Sequence, residues 1–236
     1  MHKVCFIEMA YVTGPIVMQR LKDELESLIG QEDQIEFWFT GCNYYFECAA
    51  LLFILSLKEK YPDKEIDIVA VADPVKMDNL SKDGFDEEYE GFPPGAVTRV
   101  EYAPRIVGKS EANYHKRFIE HSRKIDRWMM EQCDTLIAFR YDNIPDAVNT
   151  EVDRIKKRTA INVITIFDPN VKKFVDDTID RMEGREGAIL RGLREGKTYQ
   201  NLGEDFGVSL HRIRQISNRV LRHIFSDVRK NFMRQI

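Results

Sequence analysis

The sequence predicts an α/β protein: a parallel sheet with helices on both faces over residues 1–170, a connecting helix over 171–183, and a small all-α domain over 184–236. Three observations carry this. Short apolar runs alternate with helical segments from residue 4 to residue 167, the pattern of strands joined by crossover helices. After Asp168-Pro169 no strand-like run remains. Charge divides at nearly the same place. Glu183 to Ile236 holds 11 Lys and Arg against 6 Asp and Glu, whereas the preceding residues hold 24 against 33, so an acidic body precedes a basic tail within a net charge of −4.

The elements follow in order. Val4 to Glu8 is a short apolar strand. Pro15 suits the first turn of a helix, and Ile16, Leu21, Leu25, Leu28 and Ile29 recur near helical spacing, so a helix runs from Pro15 to Ile29 and stops at Gly30. Gln34 to Thr40 is an aromatic-rich strand, punctuated by Gly41. Tyr45 to Lys60 is a helix apolar over most of its surface, which predicts that it is buried. Ile66 to Ala72 (IDIVAVA) is a buried strand. The stretch Asp73 to Ala112 holds four prolines and an acidic run from Asp83 to Glu90 that reads as a solvated flap; Ala96 to Tyr102 within it is a further strand. Asn113 to Gln132 is a long helix, Thr135 to Phe139 a strand, Ala147 to Arg158 a helix and Val163 to Phe167 the last strand. Helices then cover Val171 to Met182, Arg185 to Glu195, Thr198 to Phe206 and Ser209 to about Phe225.

Composition excludes several classes. With 43% hydrophobic and 31% charged residues, the chain is neither collagenous nor largely disordered. No apolar run approaches the ~18 residues of a membrane span, and the start lacks the apolar stretch and cleavage site of a signal peptide. Cys5, Cys42, Cys48 and Cys133 have no CxxC or zinc spacing, so they read as buried thiols of a cytoplasmic protein, and no metal site is expected. His115 and His121 lie six apart on the long helix, which is no ligand pair.

The segment Thr198 to Ser209 is the strongest local signal. Thr198 is a good N-cap, Leu202 and Phe206 share a face, Gly207 can take the positive φ that ends a helix, and Ser209 caps the next one. Helix, glycine turn and capped helix make a helix-turn-helix. Plotted at ~100° per residue, Ile213, Ile216, Val220 and Ile224 share one face, and His211, Gln215, Asn218 and Arg222 lie opposite, flanked by Arg212, Arg214 and Arg219. That outer face carries no carboxylate, and its amide, imidazole and guanidinium groups suit base edges and phosphates. The competing reading is a solvated helix in a bundle. Glu186 to Ile224, above all "TYQNLGEDFGVS" and Arg212-Ile213-Arg214-Gln215-Ile216, resembles the fourth region of sigma-70-type factors, the module that reads the −35 promoter element. The resemblance implies DNA-binding positions Thr198, Ser209, His211, Arg212, Arg214, Gln215, Asn218, Arg219 and Arg222, with duplex DNA and RNA polymerase as partners. It departs at Leu210 and His211, where that family has Arg-Glu, and no promoter-melting segment is present.

In the amino-terminal part, "FWFTGCNYYFECAALL" puts Gly41 between a strand end and a helix start, where backbone amides and the helix dipole form an anion site. Neither GxGxxG nor GxxxxGK[ST] occurs. Glu47 stands in the first turns of an apolar helix, either complementing the dipole or meeting a ligand hydroxyl. The Thr40-Gly41-loop-Glu47 unit, "LKEKYPDKEIDIVAV" and "FIEHSRKIDRWMMEQCDTLIAFRY" together resemble the SLOG superfamily of Rossmann-like nucleotide-binding domains, nearest its YpsA-like branch. That resemblance implies a nucleotide-type ligand over Gly41, lined by Gly14, Thr40, Cys42, Asn43 and Glu47 and near Asp134, Arg140 and Tyr141. The cofactor stays unknown. Members that cleave N-glycosidic bonds carry a Pro-Gly-Gly loop, which this chain lacks.

Two functions are therefore expected. The first is a ligand-responsive DNA-binding protein, a transcription regulator with no catalytic residue assigned, coupled through the 171–182 helix and suited to act as a homodimer on a symmetric operator. The second is a nucleotide-processing hydrolase whose carboxyl-terminal helices serve oligomerisation or polymerase docking.

Overall fold

A computed structural model of the chain describes residues 1–8, 14–42, 45–73, 86–87, 91–104, 114–141 and 147–232, with the side chains of 114–121 and 147 excepted. Six strands form one parallel sheet, a Rossmann-like α/β arrangement: β1 (His2–Glu8), β2 (Gln34–Phe39), β3 (Glu65–Ala72), β4 (Arg99–Tyr102), β5 (Thr135–Phe139) and β6 (Asn162–Ile166), in the spatial order β4-β3-β2-β1-β5-β6. In register, Val4 lies beside Phe37, Ile35 beside Ile66 and Val69 beside Arg99. The central strands explain the continuous apolar runs. Every residue of β5 and all of β2 beyond Gln34 are buried, because a strand inside a parallel sheet is covered on both faces. Phe6 stacks on Phe39 at 4.8 Å between ring centroids.

The helices among the described residues are α1 (Pro15–Gln31), α2 (Tyr45–Lys60), α3 (Tyr114–Glu131), α4 (Ala147–Lys156), α5 (Pro169–Arg181), α6 (Gly184–Arg194), α7 (Tyr199–Phe206) and α8 (Leu210–Phe232). Four expectations shift. Gly30 does not stop α1, which continues to Gln31. The strand expected over 96–102 shortens to Arg99–Tyr102, with Thr98 reaching β3 by its side chain instead. α2 is not buried all round: Tyr45 and Leu52, seven apart on one face, are 70% and 59% exposed. The last helix runs seven residues past the expected Phe225, to Phe232. No helix among the described residues is long and apolar enough to cross a membrane.

The chain divides into two compact units. One gathers 1–8, 19–138 and 152–165; the other gathers 9–18, 139–151 and 166–236. In the second unit, Asp168 caps α5 by accepting the Asn170 and Val171 amides at 2.8 and 3.4 Å, with Pro169 in the first turn. Val171, Val175 and Ile179 then bury one stripe of α5. Its carboxyl end is satisfied from α6, where the Arg191 guanidinium donates to the carbonyls of Ile179 at 3.0 Å and Met182 at 2.8 Å. Phe174 on α5 meets Phe232 on α8 edge to face at 5.6 Å. α5, expected as a connector, is thus a packed member of this unit.

Candidate functional site

α7 and α8 are set by local chemistry the sequence announces. Thr198 Oγ1 accepts the Asn201 amide at 3.1 Å and Asn201 Oδ1 accepts the Thr198 amide at 3.3 Å, a capping box in which Asn takes the usual Glu or Gln place. Gly207 ends α7 at φ 63°, a conformation open to glycine at no steric cost. Ser209 Oγ accepts the Arg212 amide at 3.2 Å and so starts α8. The hydroxyls of Thr198 and Ser209 therefore serve as caps. Gly203 is a residue the sequence reading passed over. A Cβ there would stand 2.7 Å from the Val208 carbonyl oxygen and 3.3 Å from the Leu210 nitrogen, so only glycine lets α7 approach the turn this closely.

α8 turns Ile213, Ile216, Ser217, Val220, Leu221, Ile224, Phe225 and Val228 inward. His211, Arg212, Arg214, Gln215, Asn218, Arg219, Arg222 and His223 are exposed. The helix carries no acid before Asp227. Gln215 is oriented by two neighbours: its oxygen accepts from Arg212 at 3.2 Å and its amide nitrogen faces His211 Nε2 at 3.0 Å. Arg219 pairs with Glu186 of α6. A depression of about 510 Å³ lies over the turn, between Gln200 and Glu204 on one side and Ser209 and Leu210 on the other.

A second cluster sits at the carboxyl end of β2. Thr40 Oγ1 donates to Asp126 of α3 at 3.1 Å. Gly41 takes φ 142°, and the Cys42 carbonyl accepts the Cys48 thiol at 2.7 Å. Gly91, also missed from sequence, lies so near that a Cβ on it would be 2.7 Å from the Cys42 oxygen. Glu8, at the end of β1, accepts the Phe46 amide at 2.9 Å, so a carboxylate of the chain itself caps α2. Backbone amides between Gly41 and this helix start are the expected anion site, and one of them, that of Phe46, is already taken by Glu8. Burial pushes the Glu8 carboxyl up to about 7, against the lowering effect of the Phe46 bond. Glu47 is 8% exposed and has no hydrogen-bond partner among the described residues. Burial, then the nearby Glu8 and Asp126 carboxyls, push it well above the ordinary range. Glu8, Glu47 and Asp126 thus put three carboxyl groups near the Thr40–Glu47 loop. Burial also raises the Cys42 and Cys5 thiols, which keeps them unreactive. Among the described residues no set of three His, Cys, Asp or Glu is placed to hold a metal ion.

Of the remaining expected ligand residues, Asp134 belongs to the same compact unit as this cluster, and Gly14, Arg140 and Tyr141 to the other. Asp134 stands at the amino edge of the sheet, where its carboxylate accepts the Lys3 amide at 2.9 Å and its own amide bonds the Lys3 carbonyl at 2.9 Å. It is one strand length from Thr40, so it orders β1 against β5. Arg140 is buried and donates to Asn149 Oδ1 at 3.0 Å, while Asn149 donates to the Tyr141 carbonyl at 2.9 Å. Tyr141 is 1% exposed, its ring set between Phe139, Phe167 and Phe225. It is a core residue of the helix-rich unit, a place that spacing along the chain does not reveal. Gly14 accepts the Met18 amide at 3.1 Å in the first turn of α1 and lies near the Asp168 carboxylate. Asn43, the side chains of His115 and His121, and most of the acidic run lie outside the described residues; Glu87 of that run accepts the Gly95 amide at 2.7 Å.

No protein-family model matches this chain, and no curated protein matches it.

Proposed function

We propose that this chain is a ligand-responsive DNA-binding protein in which α7 and α8 form a helix-turn-helix and α8 enters the major groove. The observation that carries the reading is the outer face of α8, exposed and without an acid before Asp227, with Arg212, Arg214, Gln215, Asn218 and Arg222 on it. Guanidinium groups at the flanks suit phosphates, and the Gln and Asn carboxamides suit adenine edges. The SLOG-like unit supplies the ligand side. A nucleotide-type ligand would turn its ribose hydroxyls or base edge, not its phosphates, toward Glu47. Regulation requires that this ligand bind one functional state more tightly than the other.

The test is fluorescence anisotropy of the full chain on duplex DNA across a salt series. Three to four phosphate contacts give a log–log salt slope of about −3 to −4. Absence of duplex affinity at low salt sinks the reading.

One observation favours a second reading. Glu47, a buried acid whose carboxyl is pushed up by burial and by the neighbouring Glu8 and Asp126 carboxyls, has the environment of a proton donor. In that case the chain hydrolyses a nucleoside monophosphate, and base release is lost in Glu47→Gln. Incubation with the four monophosphates, read by chromatography of free base, separates the two.

A further inference from the structure

The polar face of α8 accounts for cationic and amide groups, but the helix begins with a residue of another kind. Leu210 is its first residue and is 55% exposed, an apolar side chain in water at the tip of a helix whose other outward groups are cationic or polar. Its place is held rigidly. Ser209 caps the helix through the Arg212 amide, Gly207 sets the turn, and the Leu210 nitrogen lies where a Cβ on Gly203 would be only 3.3 Å away. One turn further along stands exposed Arg214. The first residues of a groove-reading helix are those that reach base edges. The apolar feature of a major-groove edge is the C5-methyl group of thymine.

We infer that Leu210 is a specificity-determining residue that packs against the C5-methyl group of a thymine in the major groove. The inference rests on the proposed DNA-binding function and adds to it which base the helix tip selects. The outer face of the same helix argues for DNA over a protein partner, because its cationic groups complement a polyanion. Leu210 supplies the part of recognition that charge cannot, since phosphates are the same at every step of the duplex.

The experiment begins by selecting duplexes from a randomised pool with the full chain. Each thymidine in the selected site is then replaced singly by deoxyuridine, which deletes only the methyl group. At one position the replacement weakens binding about fourfold, the value of one buried methyl-sized group. Leu210→Ala loses that sensitivity and Leu210→Met, which keeps an apolar tip, retains it. Far-ultraviolet circular dichroism checks that both variants are folded. Deoxyuridine replacement without effect at every position, or sensitivity undiminished in Leu210→Ala, overturns the inference while DNA binding stands. No duplex affinity of the unmodified chain at low salt overturns both.

Discussion

Glu8 offers the sharpest quantitative check on the structure. Its carboxyl caps α2 from the end of β1, and burial raises it from 4.5 to about 7. A raised acid binds its proton more tightly in the folded chain than in the unfolded one. Between the two values the unfolded chain has lost the proton and the folded chain retains it, so stability falls as pH rises from 4.5 and levels off above 7. Glu8→Gln removes the charge and keeps an oxygen for the Phe46 amide. Linkage at 1.36 kcal/mol per unit makes the variant more stable than the parent by about 1 kcal/mol at pH 5 and about 3 kcal/mol at pH 8. Only the difference between the two proteins is needed, so other titrating groups cancel to first order. Urea unfolding followed by tryptophan fluorescence suits the measurement, because Trp38 and Trp128 both lie in the unit that holds Glu8. A gain equal at pH 5 and pH 8, or a loss at pH 8, refutes the placement of Glu8 in a desolvated site.

Three further outcomes follow from the packing and the charges. Gly203→Ala puts a methyl group against the Val208 carbonyl at 2.7 Å, so melting of the helices shifts downward by the equivalent of about 1–3 kcal/mol and DNA affinity falls with it. Thermal circular dichroism with anisotropy measures both; a neutral substitution contradicts the close turn. Arg214→Ala or Arg222→Ala reduces the magnitude of the log–log salt slope by about 0.9 for each phosphate contact removed, and an unchanged slope removes that arginine from the interface. Glu36 is 2% exposed; burial raises its carboxyl, but Arg99 at 2.8 Å and the Trp38 indole at 2.8 Å outweigh that and leave it below the ordinary value. Its contribution is present above the unfolded value and lost on acidification. Arg99→Met strands the carboxylate and costs about 2 kcal/mol at pH 7, less at pH 4, as urea titration at the two pH values shows.

Much of the fold was legible because it is written in local chemistry. Thr198, Gly207 and Ser209 mark the ends of α7 and the start of α8 by capping, and α2, β5 and α4 begin where apolar pattern and composition place them. The inward residues of α8 follow from a period of 3.6 alone. The outer face of α2 was misjudged for a related reason. A helix without charges from Cys48 to Leu57 reads as buried, yet Tyr45 and Leu52 are exposed, since composition states what a helix can bury and not what lies against it.

What the sequence determined by itself was the order and kind of the elements, the acid-free face of α8 and the glycine turn before it. These depend on residues within one or two turns of each other. Only the tertiary structure decided that Asp134 belongs to the opposite edge of the sheet from Thr40, that Tyr141 fills a core beside Phe225, and that Glu8 stands at the start of α2 with Glu47 beside it. The physical reason is that each of these depends on a contact between residues 38 to 131 positions apart, and the free energy of such a contact comes from burial and strand register, which no local spacing encodes.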